Sequence, residues 1–109
     1  MTRICVYRKN EDIVKFTVSG HTGFAENGSD ILCAAISALT YSTINGITDV
    51  VGISAEVTED DAFLECILPD NISDKETYAA DVLIASFLLS LKNLQKQYVG
   101  LITITELEV

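Results

Sequence analysis

The sequence predicts an α+β domain in which two helices cover a single sheet. Three observations carry this. Short alternating runs occur at the start, middle and end of the chain. Two longer segments place apolar residues at helical spacing. No repeat, linker or low-complexity stretch divides the 109 residues, so one domain over 1–109 is expected. The order reads ββαββαβ, with a mixed or antiparallel sheet packed against the two helices.

The first strand spans Thr2 to Arg8, and Lys9-Asn10-Glu11-Asp12 turns the chain into a second, Ile13 to Ser19. There Val14, Phe16 and Val18 alternate with Lys15 and Thr17, which predicts one buried face. Gly20 to Gly28 has no period and reads as a loop. Ser29 or Asp30 then offers an N-cap for a helix running from Ile31 to about Val50, with Gly46 a mild interruption. Ile53, Ala55 and Val57 alternate in a third strand, Glu59-Asp60-Asp61 form an acidic turn, and Ala62 to Leu68 form a fourth strand.

The second helix has the clearest signal. Ser73 and Glu76 have the spacing of a capping box, and Ala80, Ile84, Phe87, Leu91, Leu94 and Tyr98 recur as one stripe. Gly100 ends it, and Leu101 to Leu107 form the last strand. An uncovered sheet edge makes a dimer plausible.

Composition narrows the function. A net charge of -9 argues against binding a phosphate backbone, which needs concentrated Lys and Arg, so no direct nucleic-acid contact is expected. An acidic surface could attract a basic partner, but acidic excess more commonly serves solubility alone. No apolar run approaches the roughly 20 residues of a membrane helix, and the N-terminus alternates like a strand where a signal peptide would be apolar. A cytoplasmic protein is expected. Three cysteines without C-x-x-C spacing fit reduced thiols better than a disulfide framework or a zinc site, so neither metal nor cofactor is expected.

The chemistry concentrates around the only histidine, His21, and Cys33. If Asp30 caps the helix, Cys33 is its third residue, beside unpaired N–H groups and the positive end of the dipole. That setting favours a nucleophilic thiolate and offers donors for an oxyanion. Taken alone, Cys33 reads more readily as a small buried residue in an Ala-rich helix, and His21 shifts that balance. His21 follows a strand and a glycine and can serve as base and later as acid, or it is an ordinary loop histidine. Asp30 caps the helix, orients the imidazole, or does both. Ser37 lies one turn after Cys33 on the same face, either within the site or bonded back to a carbonyl. Gly23 and Gly28 bracket a loop containing Phe24 that would order over substrate, or is a surface loop. Cys5 and Cys66 lie in strand-like runs and read as core residues. A phosphate loop is excluded, because its Gly/Lys/Ser pattern is missing.

Gly20-His21, the spacer with Gly28 and Asp30, then Cys33-Ala34-Ala35-Ile36-Ser37-Ala38-Leu39, and later Asn45-Gly46, resemble the ribosomal-processing cysteine protease family called Prp. The resemblance runs through essentially the whole chain in length and element order. It implies an endopeptidase with Cys33 as nucleophile, His21 as base, and Asp30 and Ser37 as supporting residues. It further implies a homodimer whose substrate is the short N-terminal extension of bacterial large-subunit ribosomal protein twenty-seven. Thr22 departs from the pattern, where a smaller residue such as alanine is expected. A noncatalytic ribosome-associated binding module of the same fold is the alternative.

Overall fold

The computed structural model of the protein describes residues 1–20 and 27–109, with side chains for all of these except 27–30. β1 (Thr2–Lys9) and β2 (Asp12–Ser19) form an antiparallel hairpin. Asn10 and Glu11 make its turn with φ of 53° and 74°. Two successive positive φ values define a type I′ turn, whose twist matches that of the flanking strands. The register then shifts. Tyr7 faces Lys15 but Arg8 faces Ile13, leaving Val14 as the extra residue of a bulge. The simple alternation assigned to β2 therefore fails at its start: Ile13 is buried and Val14 only half-buried.

Helix α1 spans Asn27–Asn45 and continues as a π-helical segment, Gly46–Val51, which ends at Gly52 with φ 89°. A Cβ on Gly46 would lie 3.0 Å from Leu83 Cδ1, so the missing side chain lets this segment approach the second helix closely. Ile31–Val51 has 21 residues and a mean hydropathy of 1.4, long and apolar enough to cross a membrane, contrary to the expectation that no run approaches that length. Leu32, Ile36, Ile44 and Ile47 are nevertheless buried in the domain core, and a core helix has the same composition.

β3 (Glu56–Asp60) and β4 (Phe63–Ile67) form a second antiparallel hairpin around Asp61-Ala62, with Ala62 at φ 57°. The expected strand started at Ile53 and turned at Glu59. Ile53 is instead buried, with its N–H donating to the Ile47 carbonyl at 3.0 Å, so it closes the helix end and takes no part in the sheet. Glu59 and Asp60 are strand residues, paired with Leu64 and Phe63.

Helix α2 spans Asp74–Gln97 and begins with the expected capping box: the Ser73 N–H donates to Glu76 Oε1 at 2.9 Å and the Glu76 N–H to Ser73 Oγ at 3.1 Å. Ala80, Ile84, Phe87 and Leu91 of its stripe are buried, while Leu94 and Tyr98 pack at the core's margin. β5 (Ile102–Glu108) follows.

Among the described residues one mixed five-stranded sheet forms, in the order β3-β4-β2-β1-β5, with β5 parallel to β1 and the other pairs antiparallel. Its covered face carries Ile4, Val6, Phe16, Leu64, Cys66 and Ile102, packed with Leu32 and Ile36 of α1 and with Ile84, Phe87 and Leu91 of α2. Phe16 and Phe87 join sheet to helix with ring centroids 5.4 Å apart. The opposite face carries Cys5, Thr17 and Glu65 in register, and Lys15, which pairs with Glu65 at 3.4 Å. Cys5 is thus half-buried on the uncovered face and is not a core residue.

Candidate active site

A cleft of about 200 Å³ opens between α1, the end of β2 and the β3–β4 hairpin. Cys33, Ser37 and Tyr41 line it from α1. Their spacing of four puts them on one helical face, while Leu32, Ile36 and Thr40 form the adjacent buried face. Thr40 stays in the helix interior by donating its hydroxyl to the Ile36 carbonyl at 2.7 Å. Ser37 is exposed on the cleft wall and Cys33 is half-buried there.

Gly20 lines the cleft from β2. Its N–H donates to the Ala62 carbonyl at 2.8 Å, which ties the strand end to the hairpin turn. It adopts φ 61°, and a Cβ there would lie 2.7 Å from the Met1 carbonyl oxygen, so only glycine fits. His21 is next in sequence. His21, Gly23 and Phe24 lie outside the described residues, as does the side chain of Asp30. The structure therefore brings together Cys33, Ser37 and the residue that precedes His21.

The helix start differs from the expected one. α1 begins at Asn27, so Gly28 belongs to its first turn and not to the loop, and Ser29 and Asp30 are first-turn residues, not caps. Ser and Asp signal a nearby N-terminus, but acidic residues are also favoured just inside it, where they complement the dipole. Cys33 is accordingly the seventh helical residue. The first four amides, those of residues 27–30, have no partner within the helix. The Cα–Cβ bond of a helical residue tilts toward the helix N-terminus, and residue 30 precedes Cys33 by about 4.5 Å of helical rise.

The far end of the cleft is built by a contact between α1 and β3. Tyr41 donates its hydroxyl to Glu59 Oε1, bridging α1 and β3. This hydrogen bond, then burial, then the negative charge of Glu59, raises the Tyr41 phenol above its ordinary range. Asp60 follows on the other side of the strand, its Oδ1 accepting the Asp61 N–H at 2.7 Å, and its strand partner Phe63 is 38% exposed. The four-residue step from Ser37 to Tyr41 was a usable signal. Glu59 and Asp60 were hidden by their assignment to a turn.

Thr2 forms part of the cleft lining and is 2% exposed. Its N–H donates to the Leu101 carbonyl at 2.9 Å, while its Oγ1 has no hydrogen-bond partner among the described residues. Cys66 lies in the core, where burial pushes its thiol up to about 11, so it is a neutral packing residue at physiological pH. Among the described residues no group of three or more His, Cys, Asp or Glu could hold a metal ion. The chemistry on offer is that of a thiol on the helix wall of a cleft.

Known proteins share this sequence pattern and this fold. The family model for cysteine protease Prp matches residues 1–103. The ribosomal processing cysteine protease Prp of Bacillus subtilis is 26% identical over 95 residues, covering 84% of this chain and 85% of that protein. A crystal structure from Streptococcus mutans superposes with a TM-score of 0.80 at 25% identity, covering 100% of this chain and 96% of its own. The essential ribosomal processing protease Prp from S. aureus, in complex with a covalently linked product peptide, superposes with a TM-score of 0.82 at 22% identity, covering 97% of this chain and 99% of its own. This chain belongs to the cysteine protease Prp family.

Proposed function

We propose that this protein is a cysteine endopeptidase that removes the short N-terminal extension of bacterial large-subunit ribosomal protein twenty-seven, and so supports ribosome assembly. The observation that carries the reading is the cleft in which Cys33 and Ser37 face Gly20, the residue joined to His21. Its relatives from Bacillus subtilis and Mycoplasma pneumoniae are ribosomal processing cysteine proteases, and an S. aureus relative has been seen with a substrate peptide.

In this mechanism His21 takes the Cys33 proton, and the sulfur attacks the scissile carbonyl carbon. The negative charge formed on the carbonyl oxygen is held by first-turn amides of α1. His21 then donates its proton to the leaving amine as the C–N bond breaks. Water, deprotonated by His21, attacks the thioester, releases the acid and restores the thiol. Asp30 orients the imidazole, Ser37 supports the site from the next turn, and Gly23, Phe24 and Gly28 border the substrate. The enzyme acts as a cytoplasmic homodimer, without nucleic-acid or membrane contact, and its acidic surface favours a basic ribosomal substrate.

The test is incubation of purified protein and reductant with tagged precursor, read by mass spectrometry. The expected result is a shortened precursor with the wild-type chain, an intact one with Cys33→Ala, and strongly slowed cleavage with His21→Ala. An intact precursor with wild-type protein points to the noncatalytic binding module. Cleavage by Cys33→Ala removes that thiol from the mechanism.

A further inference from the structure

We propose that the Thr2 hydroxyl is a substrate-positioning group that hydrogen-bonds the main chain of the peptide in the cleft; this rests on the protease reading above. Thr2 opens β1 and is 2% exposed. Alternation along the strand puts its side chain on the face of Ile4 and Val6, which the helices cover, and the cleft opens between that face and α1. The hairpin register, with Arg3 opposite Ser19, sets Thr2 beside Gly20, and both residues line the cleft together with Cys33.

Four hydroxyl-bearing residues belong to the described lining: Thr2, Ser37, Thr40 and Tyr41. Thr40 donates to the Ile36 carbonyl and Tyr41 to Glu59, so both are committed within the fold. Ser37 is exposed to water. Thr2 alone of the four is buried and without a hydroxyl partner among the described residues. Packing gives no reason for an oxygen there, because valine has nearly the same shape and suits a strand as well.

The surroundings make that state costly. Val18, Ile36 and Leu64 line the same space with hydrocarbon. A hydroxyl held away from water without a bond is unfavourable, and a peptide amide that gives up its water against these side chains is in the same position. One hydrogen bond between the two satisfies both, since a threonine hydroxyl accepts from N–H or donates to C=O. The main chain is the partner because every residue of an extended peptide carries such groups, whatever its side chain. The contact is present before and during reaction, so it acts on KM and leaves kcat unchanged.

The test uses a fluorescein-labelled peptide spanning the cleavage site, and versions of it with one amide at a time replaced by an ester. Anisotropy measures binding in the Cys33→Ala background, and kcat and KM are measured with Cys33 present. Thr2→Val is expected to raise the denaturation midpoint of the free chain by several degrees, to bind the peptide about tenfold more weakly, and to raise KM at constant kcat. Thr2→Ser keeps the hydroxyl and should restore most of the affinity. One ester position should weaken binding to Thr2 and have no effect in Thr2→Val. Native affinity in Thr2→Val overturns the proposal, and so do ester effects that are equal in the two backgrounds. A lower midpoint in Thr2→Val also overturns it, because the hydroxyl would then have its partner in the free chain. Binding without cleavage by the wild-type chain counts instead against the protease reading, and Thr2 is still judged on the anisotropy.

Discussion

The amide of Gly20 donates to the carbonyl of Ala62 at 2.8 Å, so the residue before His21 is tied to the turn of the β3–β4 hairpin. One wall of the cleft thereby holds both the approach to the proposed base and the acidic hairpin. Gly20→Ala places a Cβ 2.7 Å from the Met1 carbonyl oxygen at φ 61°, and backbone has little room to yield. The variant should lose about 1–3 kcal/mol of stability in urea titration. At temperatures where it remains folded, precursor cleavage should fall by more than tenfold. Stability within error of the wild type would show that this close approach is unimportant.

Gly46 presents the opposite case, because the atoms a new Cβ would meet are the ends of a flexible side chain, Leu83 Cδ1 at 3.0 Å and Cδ2 at 3.2 Å. Gly46→Ala gains helix propensity of up to about 1 kcal/mol and loses a comparable amount by crowding Leu83. The net change in the native background should be small. Combined with Leu83→Ala the crowding disappears, and the same substitution should stabilise by about 1 kcal/mol. Equal effects in the two backgrounds, measured by a double-mutant cycle, would rule out the contact.

Glu11 occupies the second position of a type I′ turn at φ 74°, a conformation that costs a residue with a Cβ about 1–2 kcal/mol. Glu11→Gly relieves it, and part of the gain is returned as unfolded-chain entropy. A rise in denaturation midpoint of several degrees is expected, with the cleft and its activity untouched. A lower midpoint would contradict the strain.

Two groups make alkaline stability informative. Burial holds the Cys66 thiol protonated up to about 11, and the Glu59 hydrogen bond raises the Tyr41 phenol. Each is therefore protonated in the folded chain at pH values where the unfolded chain ionises it. Their contribution is complete below about pH 8.5, where an unfolded thiol begins to ionise, and is lost as pH climbs through the folded values. Urea titrations at pH 8 and 10.5 should show a fall in stability that is shallower in Cys66→Val and shallower still with Tyr41→Phe added. Parallel falls in all three proteins would disconnect these groups from the pH response.

The sequence was most readable where one local rule had no competitor. Ser73 and Glu76 specify a helix start by hydrogen bonds three residues apart, and the structure contains both. It was least readable where tertiary contacts overrode a local signal. Glu59 and Asp60 have turn chemistry, yet their pairing with Leu64 and Phe63 keeps them in a strand, because Ile53 is drawn upstream into the helix end. Val14 continues a correct alternation that a bulge then shifts by one residue. In the cleft, Cys33 and Ser37 could be placed on one face by helical spacing alone. Tyr41 continues that face, but its partner comes from 18 residues further along, and no local pattern announces such a contact.

The parallel pairing of β1 with β5 sets a schedule for the whole enzyme. Thr2, a lining residue of the cleft, is held by the carbonyl of Leu101, and its strand partner is Ile102. The first strand made is thus among the last to be completed, across a separation of one hundred residues. A nascent chain that has not yet delivered Leu101 has an unfinished cleft wall and an open strand edge beside it. A fragment that ends before β5 lacks the partner of Thr2 and leaves that wall of the cleft without its neighbouring strand.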